Sequence, residues 1–275
     1  MTVRIVGSVL VRNEDVFVEQ AIRNVAAFCD TIHIVDHASD DDTWEIVCSL
    51  GREFDHVDVR RSRNSAIAHR LLERYAGTPT WVIGVDGDEL YDPGGLVRLR
   101  RDLLAKEHAD VFRIKAHVLN CDELDRSART ASGWLAPPSR PVTKLFNFGA
   151  VESWAGSPDP LQSGNVVFRR GYEWEARRNL SRSTTWDSDP LRCLHVCFLR
   201  RSTREAARAA GAGRTNLDES RAYDRGPVGT LRRVVRRPKR AQHIVELERR
   251  GTNWKQEWYA RGDRVTVDAS PFLAS

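Results

Sequence analysis

The stretch "WVIGVDGDEL", Trp81 to Leu90, decides the fold that this sequence predicts. A mostly apolar run ends abruptly in the tetrad Asp86–Glu89 (DGDE), which places three carboxylates within four positions. Short apolar runs rich in β-branched residues are typical of strands that are buried on both faces, as in a parallel sheet. We therefore expect a buried strand that carries an acidic turn to the edge of a sheet.

Strand and helix patterns alternate on both sides of this stretch. Strand patterns occupy Arg4–Arg12, Thr31–Asp36, His56–Arg60 and Thr80–Val85, and helical spacing occupies Asp15–Cys29, Asp41–Leu50, Asn64–Tyr75 and Gly94–Lys106. This alternation predicts an α/β fold, a mostly parallel Rossmann-like sheet with helices on both faces. Ligands of such sheets bind beyond the carboxyl ends of the strands, so we expect Arg12, Asp36 and Asp86 to converge there.

The second half of the chain follows a different pattern. Helical periodicity fades near residue 120, and short strands are expected at Val142–Phe148, Asn165–Arg169 and Leu191–Leu199. A helical tail is expected after Arg201. We therefore divide the chain into a domain over 1–201, with halves 1–119 and 120–201, and a helical C-terminal extension over 202–275.

Composition narrows the class of protein. The chain has 275 residues, and no apolar run approaches the length of about 20 residues that a membrane-spanning helix needs. Its N-terminus has the pattern of a first strand rather than of a signal peptide. Five cysteines, an odd number and widely spread, indicate a reduced, cytoplasmic protein.

The net charge of +5 is concentrated in the run "LRRVVRRPKR", Leu231–Arg240. Three interpretations stay open: a solvated helix face, a contact with phosphates of a ligand or an anionic lipid, and nucleic-acid binding. Nucleic acid is the least favoured, because neither interleaved aromatic residues nor a DNA-binding motif accompanies the charge. The C-terminal region is thus a candidate for peripheral membrane contact or for homo-oligomer formation.

Asp-x-Asp occurs three times in the sequence, and context separates the copies. The copy at Asp40 and Asp42 lies where a helix begins, so complementarity with the helix dipole explains it. The copy at Asp187 and Asp189 lies in a polar stretch just before a proline, where a turn explains it.

The third copy, Asp86 and Asp88, follows the buried strand. Neighbouring carboxylates are costly to ionise unless a cation lies between them, and hard divalent ions such as Mn²⁺ or Mg²⁺ meet that need. Gly87 would let the backbone approach a ligand closely. The copy therefore predicts a metal site, and a solvated turn at the end of a strand is the alternative.

His195 is a further candidate metal ligand, from the stretch "RCLHVCFLRRS". Cys193, His195 and Cys197 share one face of a strand, but their spacing spreads them over about 13 Å, too far to share one zinc ion. His195 is thus either a structural histidine or a ligand supplied from outside the acidic turn.

The absence of three sequence motifs argues against other classes of enzyme. No G-x-G-x-x-G follows the first strand, and no G-x-x-x-x-G-K-[ST] or G-x-S-x-G occurs. A dinucleotide oxidoreductase, a P-loop NTPase and an α/β hydrolase are therefore disfavoured.

Taken together and in order, the motifs resemble those of the glycosyltransferases of family 2, which have a GT-A fold. The matching segments are "VRNEDVFVEQAIRNV", "DTIHIVDHASDDDTWEIV", "RRSRNSAIAHRL" and "WVIGVDGDE", all within about residues 3–105. Beyond residue 105, "VTKLFNF" and "LHVCFLRRSTRE" are similar to later segments of some members. The resemblance implies that 1–201 is a GT-A catalytic domain, with a nucleotide-binding half over 1–119 and an acceptor-binding half over 120–201.

The resemblance also implies roles for individual residues. Asp36 would hydrogen-bond the nucleoside, and Asp88 would bind a metal that is bridged to the donor diphosphate. Asp86 would contact the ribose or the metal, and His195 would complete the metal shell. The remaining nucleotide-site residues are Arg12, Asn13, Glu14, Arg63, Asn64 and Gly87.

The implied reaction moves a sugar from a nucleoside-diphosphate sugar of the UDP, GDP or dTDP type to an acceptor hydroxyl on a glycan, a lipid-linked molecule or a small molecule. Inversion is expected and needs a carboxylate base, which family members often carry in an E-D motif. That motif is not clear here, so Asp159 and Glu152 are the candidate bases and a retaining reaction stays open. The alternatives are a sugar-phosphate nucleotidyltransferase and a non-catalytic binding protein on the same fold.

Overall fold

The computed structural model describes residues 2–139, 145–154, 166–204 and 258–273. Strands and helices alternate through its first hundred residues, which confirms the predicted α/β fold. The strands are β1 (Arg4–Val11), β2 (Thr31–Asp36), β3 (Val57–Arg61), β4 (Thr80–Val85), β5 (Glu89–Tyr91), β6 (Arg113–Lys115), β7 (Val118–Asp125), β8 (Thr130–Ala136), β9 (Leu145–Asn147), β10 (Val151–Trp154), β11 (Val166–Phe168), β12 (Arg177–Asn179), β13 (Cys193–His195) and β14 (Arg264–Asp268). The α-helices are α1 (Val18–Ala26), α2 (Thr43–Glu53), α3 (Ala66–Arg70) and α4 (Pro93–Leu104), and 3₁₀ helices lie at Glu73–Tyr75, Phe148–Ala150, Leu180–Arg182 and Ser270–Phe272.

Seven strands form the main sheet, in the order β12-β6-β9-β4-β1-β2-β3. The four strands from β4 to β3 are parallel, and β9 is antiparallel to both of its neighbours. The sheet is therefore mostly parallel, and the carboxyl ends of β1, β2, β3 and β4 lie along one edge.

Apolar side chains cover both faces of the main sheet. Ile5, Val9 and Ile83 belong to a core that includes buried residues of α1, α2 and α4. Val6 and Val82 point to the other face and pack in a second core with Leu72, Phe112 and Phe146. Successive strand residues therefore alternate between the two cores, as the period of a β-strand requires.

A second sheet of five strands, in the order β14-β8-β7-β13-β5, adjoins the acidic turn. Its edge strand β5 begins at Glu89, the last residue of the turn. Strand β13 lies between β5 and β7, so that His195 is opposite Glu89 on one side and Asn120 on the other. The second sheet thus brings residues from late in the chain to the end of β4.

Two parts of this sheet correct the sequence-based interpretation. The hairpin of β7 and β8 was not predicted; its turn is held by Asp125, whose Oδ1 accepts the backbone N–H groups of Ser127 and Ala128 at 2.8 Å each. Residues 264–268, expected to be helical, form strand β14, which pairs antiparallel with β8. Phe272 is fully buried in the main core, so residues 258–273 pack with the sheets of the domain predicted over 1–201. No helix within the described ranges is long and apolar enough to cross a membrane.

Candidate functional site

The loops that follow the parallel strands lie side by side at the carboxyl edge of the main sheet. Val11, Asp36 and Arg61 are register partners at the ends of β1, β2 and β3. Backbone hydrogen bonds continue beyond the strands, from His37 N to Val11 O at 2.8 Å and from Ser62 N to Asp36 O at 2.9 Å. This edge therefore gathers the acidic residues of three loops in one region.

The acidic turn after β4 is closed by Glu89. The backbone N–H of Glu89 donates to the carbonyl of Asp86 at 3.0 Å. In return, the fully buried Glu89 carboxylate accepts the N–H of Asp86 at 3.1 Å and the hydroxyl of Tyr91 at 3.4 Å. Glu89 thus fixes the turn, in which Asp86 is half-buried and Asp88 is buried.

Gly87 has a close neighbour within the protein itself. A Cβ atom at this position would lie 2.5 Å from Oε2 of Glu14 and 3.1 Å from Glu14 Cβ. The missing side chain therefore lets the Glu14 carboxylate pack on the turn, and this contact accounts for the glycine without a ligand. A nucleotide contact at Gly87 stays a prediction.

Asp88 lies in a buried cluster of charges. Its Oδ2 accepts a hydrogen bond from Nη1 of Arg201 at 2.9 Å, and the same nitrogen lies 3.3 Å from Oε1 of Glu14. All three side chains are 7% exposed or less. Buried carboxylates are stable only when they are paired, and Arg201 pairs with two of them at once.

His195 faces the same oxygen of Asp88, with its Nε2 3.8 Å from Oδ2. Its Nδ1 lies 2.9 Å from Oδ1 of Asn120, whose Nδ2 donates to Ser139 Oγ at 2.9 Å. Because Oδ1 is the acceptor end of that amide, Nδ1 of His195 is the donor, and Nε2 of the neutral ring is then the acceptor. The ring of Tyr259 packs edge-on against the imidazole, with centroids 5.3 Å apart.

The three residues Arg201, Ser202 and Thr203 contact a carboxylate from each of several loops; we call them the clasp. Ser202 Oγ donates to Oδ2 of Asp41 at 2.5 Å, and the Thr203 N–H donates to Oδ1 of Asp15 at 2.7 Å. The carbonyl of Arg201 accepts the N–H of Val16 at 3.1 Å. The clasp therefore joins the loops after β1, β2 and β4 to the end of the second sheet.

Asp36 is fully buried at the end of β2. Burial raises the pKa of its carboxyl above the ordinary value, while hydrogen bonds from Ser39 and the nearby Arg61 oppose this shift. Nε of Arg61 lies 3.1 Å from Oδ2 of Asp36, and its guanidinium stacks over Trp44 at 5.2 Å. The structure thus places Arg61 between Asp36 and the surface, and the predicted nucleoside contact of Asp36 stays a prediction.

The other predicted nucleotide-site residues lie along the same edge. Asn13 has a φ of 51°, and its Oδ1 accepts the N–H of Asp40 at 2.7 Å, which ties the first loop to the second. Arg12 is buried beside it, whereas Arg63 is exposed. Asn64 Oδ1 accepts the N–H of Ala66 at 3.0 Å and so serves the start of α3.

Glu152, one of the two candidate bases, is not brought to this edge. Glu152 is an exposed residue of β10, which follows β9 beyond the amino end of β4; the carbonyl of the adjacent Val151 lies 3.6 Å from the Cβ position of Gly77. The six residues of β4 separate the two edges by about 20 Å at the usual rise per residue. The structure therefore places Glu152 near the opposite edge from Asp88, its role as a base stays a prediction, and Asp159 lies outside the described residues.

The arrangement fits a divalent ion that a ligand helps to hold. Within the described ranges, no group of three or more His, Cys, Asp or Glu side chains is placed to hold a metal ion alone. Asp88 and His195 present one oxygen and one nitrogen, and the second nitrogen of His195 is fixed by Asn120, as is usual for metal-bound histidines. Mg²⁺ characteristically completes such a partial shell with phosphate oxygens and water.

No protein-family model matches the sequence, and no curated protein matches it either. Among solved structures, S. aureus TarS is similar over 54% of this chain and 29% of its own length, with 18% identity and a TM-score of 0.38. Glucosyl-3-phosphoglycerate synthase from Mycobacterium tuberculosis, in complex with phosphoglyceric acid, matches over 42% and 44% of the two chains, with 21% identity and a TM-score of 0.32.

A cytidylyltransferase from Leptospira borgpetersenii is also similar, over 59% of this chain and 68% of its own, with 14% identity and a TM-score of 0.32. The chain spans less than half the length of the first two structures. At these identities and scores the similarities concern the fold, and they assign no activity to this chain.

Sequence reasoning missed Arg201, Arg61 and Asn120 as members of the site. Arg201 lies in the segment "LHVCFLRRSTRE", from which only the histidine was predicted to belong to the site. Arg61 is the last residue of β3, the parallel neighbour of β2. The pairing of these strands could therefore have indicated that Arg61 lies beside Asp36. No pattern in the sequence indicated Asn120, because its place beside His195 depends on the pairing of β7 with β13.

Proposed function

We propose that the protein is a glycosyltransferase of the GT-A type that uses a nucleoside-diphosphate sugar and a divalent cation, Mn²⁺ or Mg²⁺. One observation carries this proposal: Asp88, delivered by β4 to the carboxyl edge of the sheet, lies within 4 Å of both His195 on β13 of the second sheet and Arg201 in the segment that follows it. A carboxylate, an imidazole and a guanidinium together suit a site that receives an anionic diphosphate.

In the proposed reaction, an acceptor hydroxyl oxygen forms a bond to the anomeric carbon of the donor sugar. The bond from that carbon to the diphosphate oxygen breaks, the nucleoside diphosphate leaves with the electron pair, and the hydroxyl proton passes to a base. The divalent cation, held by Asp88 with Asp86 and His195, would supply charge stabilisation for the leaving diphosphate. Asp159 stays a candidate for the base, and inversion stays the expected outcome.

Other side chains of the edge position this reaction. Glu89 fixes the acidic turn, and Asn120 fixes the orientation of His195. Arg12, Asn13, Asp36, Arg61 and Arg63 lie along the loops that would receive the nucleoside. Hydroxyl acceptors on a glycan, a lipid-linked molecule or a small molecule all remain within the proposal.

The first test is thermal stabilisation by UDP, GDP and dTDP, each with Mn²⁺ and with EDTA. We expect at least one of them to raise the melting temperature in the presence of Mn²⁺, because a ligand that binds only the folded state stabilises it. A wild-type protein that none of the three stabilises with Mn²⁺ present would contradict the proposal.

A nucleotidyltransferase is the second candidate, and the first loop argues against it. Such enzymes usually bind a nucleoside triphosphate on a Gly-rich basic loop after the first strand. Here that loop is Arg12–Asp15, and its Glu14 is buried against the acidic turn. Release of pyrophosphate from a nucleoside triphosphate and a sugar phosphate would favour this candidate over sugar transfer.

A further inference from the structure

A single oxygen of Asp88 is approached by two groups with different chemistry. Nη1 of Arg201 lies 2.9 Å from Oδ2, and Nε2 of His195 lies 3.8 Å from the same Oδ2. Under the proposed function, a cation shared by Asp88 and His195 would bind at this oxygen. It would therefore lie next to a guanidinium that already holds the oxygen.

We propose that Arg201 keeps free divalent cations away from Asp88, so that the protein takes up the cation together with a nucleoside diphosphate. This inference rests on the proposed function and adds a positioning residue that makes cation binding depend on the donor. Arg201 is always charged, because its guanidinium does not lose its proton in proteins. A divalent ion beside it meets like-charge repulsion, which is stronger in a buried site than in water.

The position of Arg201 is fixed from several directions. Glu14 holds the same Nη1 at 3.3 Å, and Val16 N donates to the Arg201 carbonyl at 3.1 Å. The next two residues of the clasp bind Asp41 and Asp15. A free ion therefore cannot displace the guanidinium without breaking the contacts of three loops. A bound diphosphate would lower the repulsion between the Arg201 guanidinium and the divalent ion, because its negative charge offsets both positive charges.

A purely structural role for Arg201 makes a different prediction. A structural ion pair would lower stability when broken, but it would not set the affinity for a free ion. If Arg201 repels the cation, its removal leaves Asp88 and Glu14 without their shared cation beside His195. The two buried carboxylates would then carry uncompensated negative charge, and the affinity of Asp88 for a free divalent cation would rise although the protein has lost stability.

The experiment measures Mn²⁺ binding to the full chain by the electron paramagnetic resonance signal of unbound Mn²⁺, with Mn²⁺ alone and with UDP or GDP. The variants are Arg201→Gln, Arg201→Lys and Ser202→Ala. Ser202→Ala is the matched control, since it removes a buried clasp contact and no charge. We expect Arg201→Gln to bind Mn²⁺ alone on the order of tenfold more tightly than the wild type, and Arg201→Lys and Ser202→Ala to resemble the wild type.

The dependence on nucleotide gives a second readout. In the wild type, UDP or GDP should tighten Mn²⁺ binding, and in Arg201→Gln this gain should shrink. If Arg201→Gln does not fold, the double variant Arg201→Gln/Glu14→Gln retains only one of the two carboxylates and should still bind Mn²⁺ alone more tightly than the wild type.

Mn²⁺ affinity that is no higher than in the wild type in Arg201→Gln, or in the double variant if Arg201→Gln does not fold, would overturn the inference about Arg201. Tight binding of Mn²⁺ alone by Arg201→Lys would also overturn it, because that variant keeps the positive charge. A wild type that binds neither nucleotide at any Mn²⁺ concentration is a separate outcome, and it would count against the proposed function itself.

Discussion

Arg201 and Asp88 are 113 positions apart in the sequence, yet the guanidinium of one donates to the carboxylate of the other at 2.9 Å in a buried site. The pair joins the end of β4 in the main sheet to the segment that follows β13 in the second sheet. The candidate site therefore exists only when both sheets are assembled. Its properties can be tested one residue at a time.

Asp88→Asn should abolish the Mn²⁺-dependent stabilisation by a nucleoside diphosphate and lower sugar transfer on the order of 100-fold or more, because it removes a charge placed to act on the leaving group. Asp187→Asn is the matched control from another Asp-x-Asp copy, since the Asp187 side chain is 90% exposed. Melting temperatures and transfer rates of both variants check this prediction. Equal loss in the two variants would show that Asp88 has no special role.

Gly87→Ala should lower the free energy of unfolding by about 1–3 kcal/mol, because the new Cβ would overlap the buried Glu14 carboxylate. The same change should weaken nucleotide binding, since Glu14 also holds Arg201. Gly94→Ala is the control, because its Cβ would meet only Asp92 Oδ1 at 3.4 Å. Urea unfolding of both variants measures the difference, and a Gly87→Ala protein as stable as the control would contradict the predicted overlap.

Arg192→Met should lower the free energy of unfolding by about 3–5 kcal/mol, because it leaves the carboxylate of Asp92 buried without its cation. Nε and Nη2 of Arg192 each lie 2.9 Å from Asp92 Oδ2, and its guanidinium packs beside the stacked rings of Trp186 and Phe272, at 5.7 and 5.3 Å from their centroids. The exposed Arg264, changed to Ala, should alter stability little. Comparable destabilisation by both changes in urea unfolding would refute the distinction between buried and exposed pairs.

Stability should fall in mild acid because of His33, which is buried with Asp58 on one side and Tyr75 on the other. Burial lowers the pKa of this imidazole below its ordinary value of 6.5, against the opposing effect of Asp58. The unfolded chain then binds a proton more readily than the folded one, so this contribution is present above pH 6.5 and is lost as the pH falls below it.

His33→Gln should therefore flatten the decline in stability between neutral pH and pH 5, as measured by urea unfolding at several pH values. Tyr75→Phe keeps the imidazole and removes only its hydroxyl partner, so the decline should persist in that variant. An unchanged pH dependence in His33→Gln would assign the decline to other groups.

Glu152→Gln should retain transfer activity within about twofold, since surface changes away from a site have small effects. Glu152 is exposed at the amino edge of the main sheet, far from Asp88. Asp159→Asn should lower kcat strongly if Asp159 is the base, with little change in nucleotide binding. Loss of activity in Glu152→Gln alone would reverse this assignment.

The fold was predictable from the sequence because it depends on local patterns. The apolar run before Asp86, the strand-and-helix alternation and the helix spacing each reflect the burial of nearby residues, and together they predict a parallel sheet. The hairpin of β7 and β8 was missed because the second half of β7 carries exposed acidic residues, which resemble a loop in sequence. The C-terminal strand was missed because Val265 and Val267 alternate over only five residues.

The sequence by itself determined that Glu14, Asp36 and Asp88 reach one edge, because parallel strands bring their carboxyl ends together. Only the tertiary structure decided what surrounds them. Arg201 and His195 reach Asp88 through the pairing of β13 with β5 and β7, strands whose paired residues are at least 75 positions apart along the chain. Local periodicity carries no information on such pairing, since the burial of charge in a shared site depends on which distant strands meet.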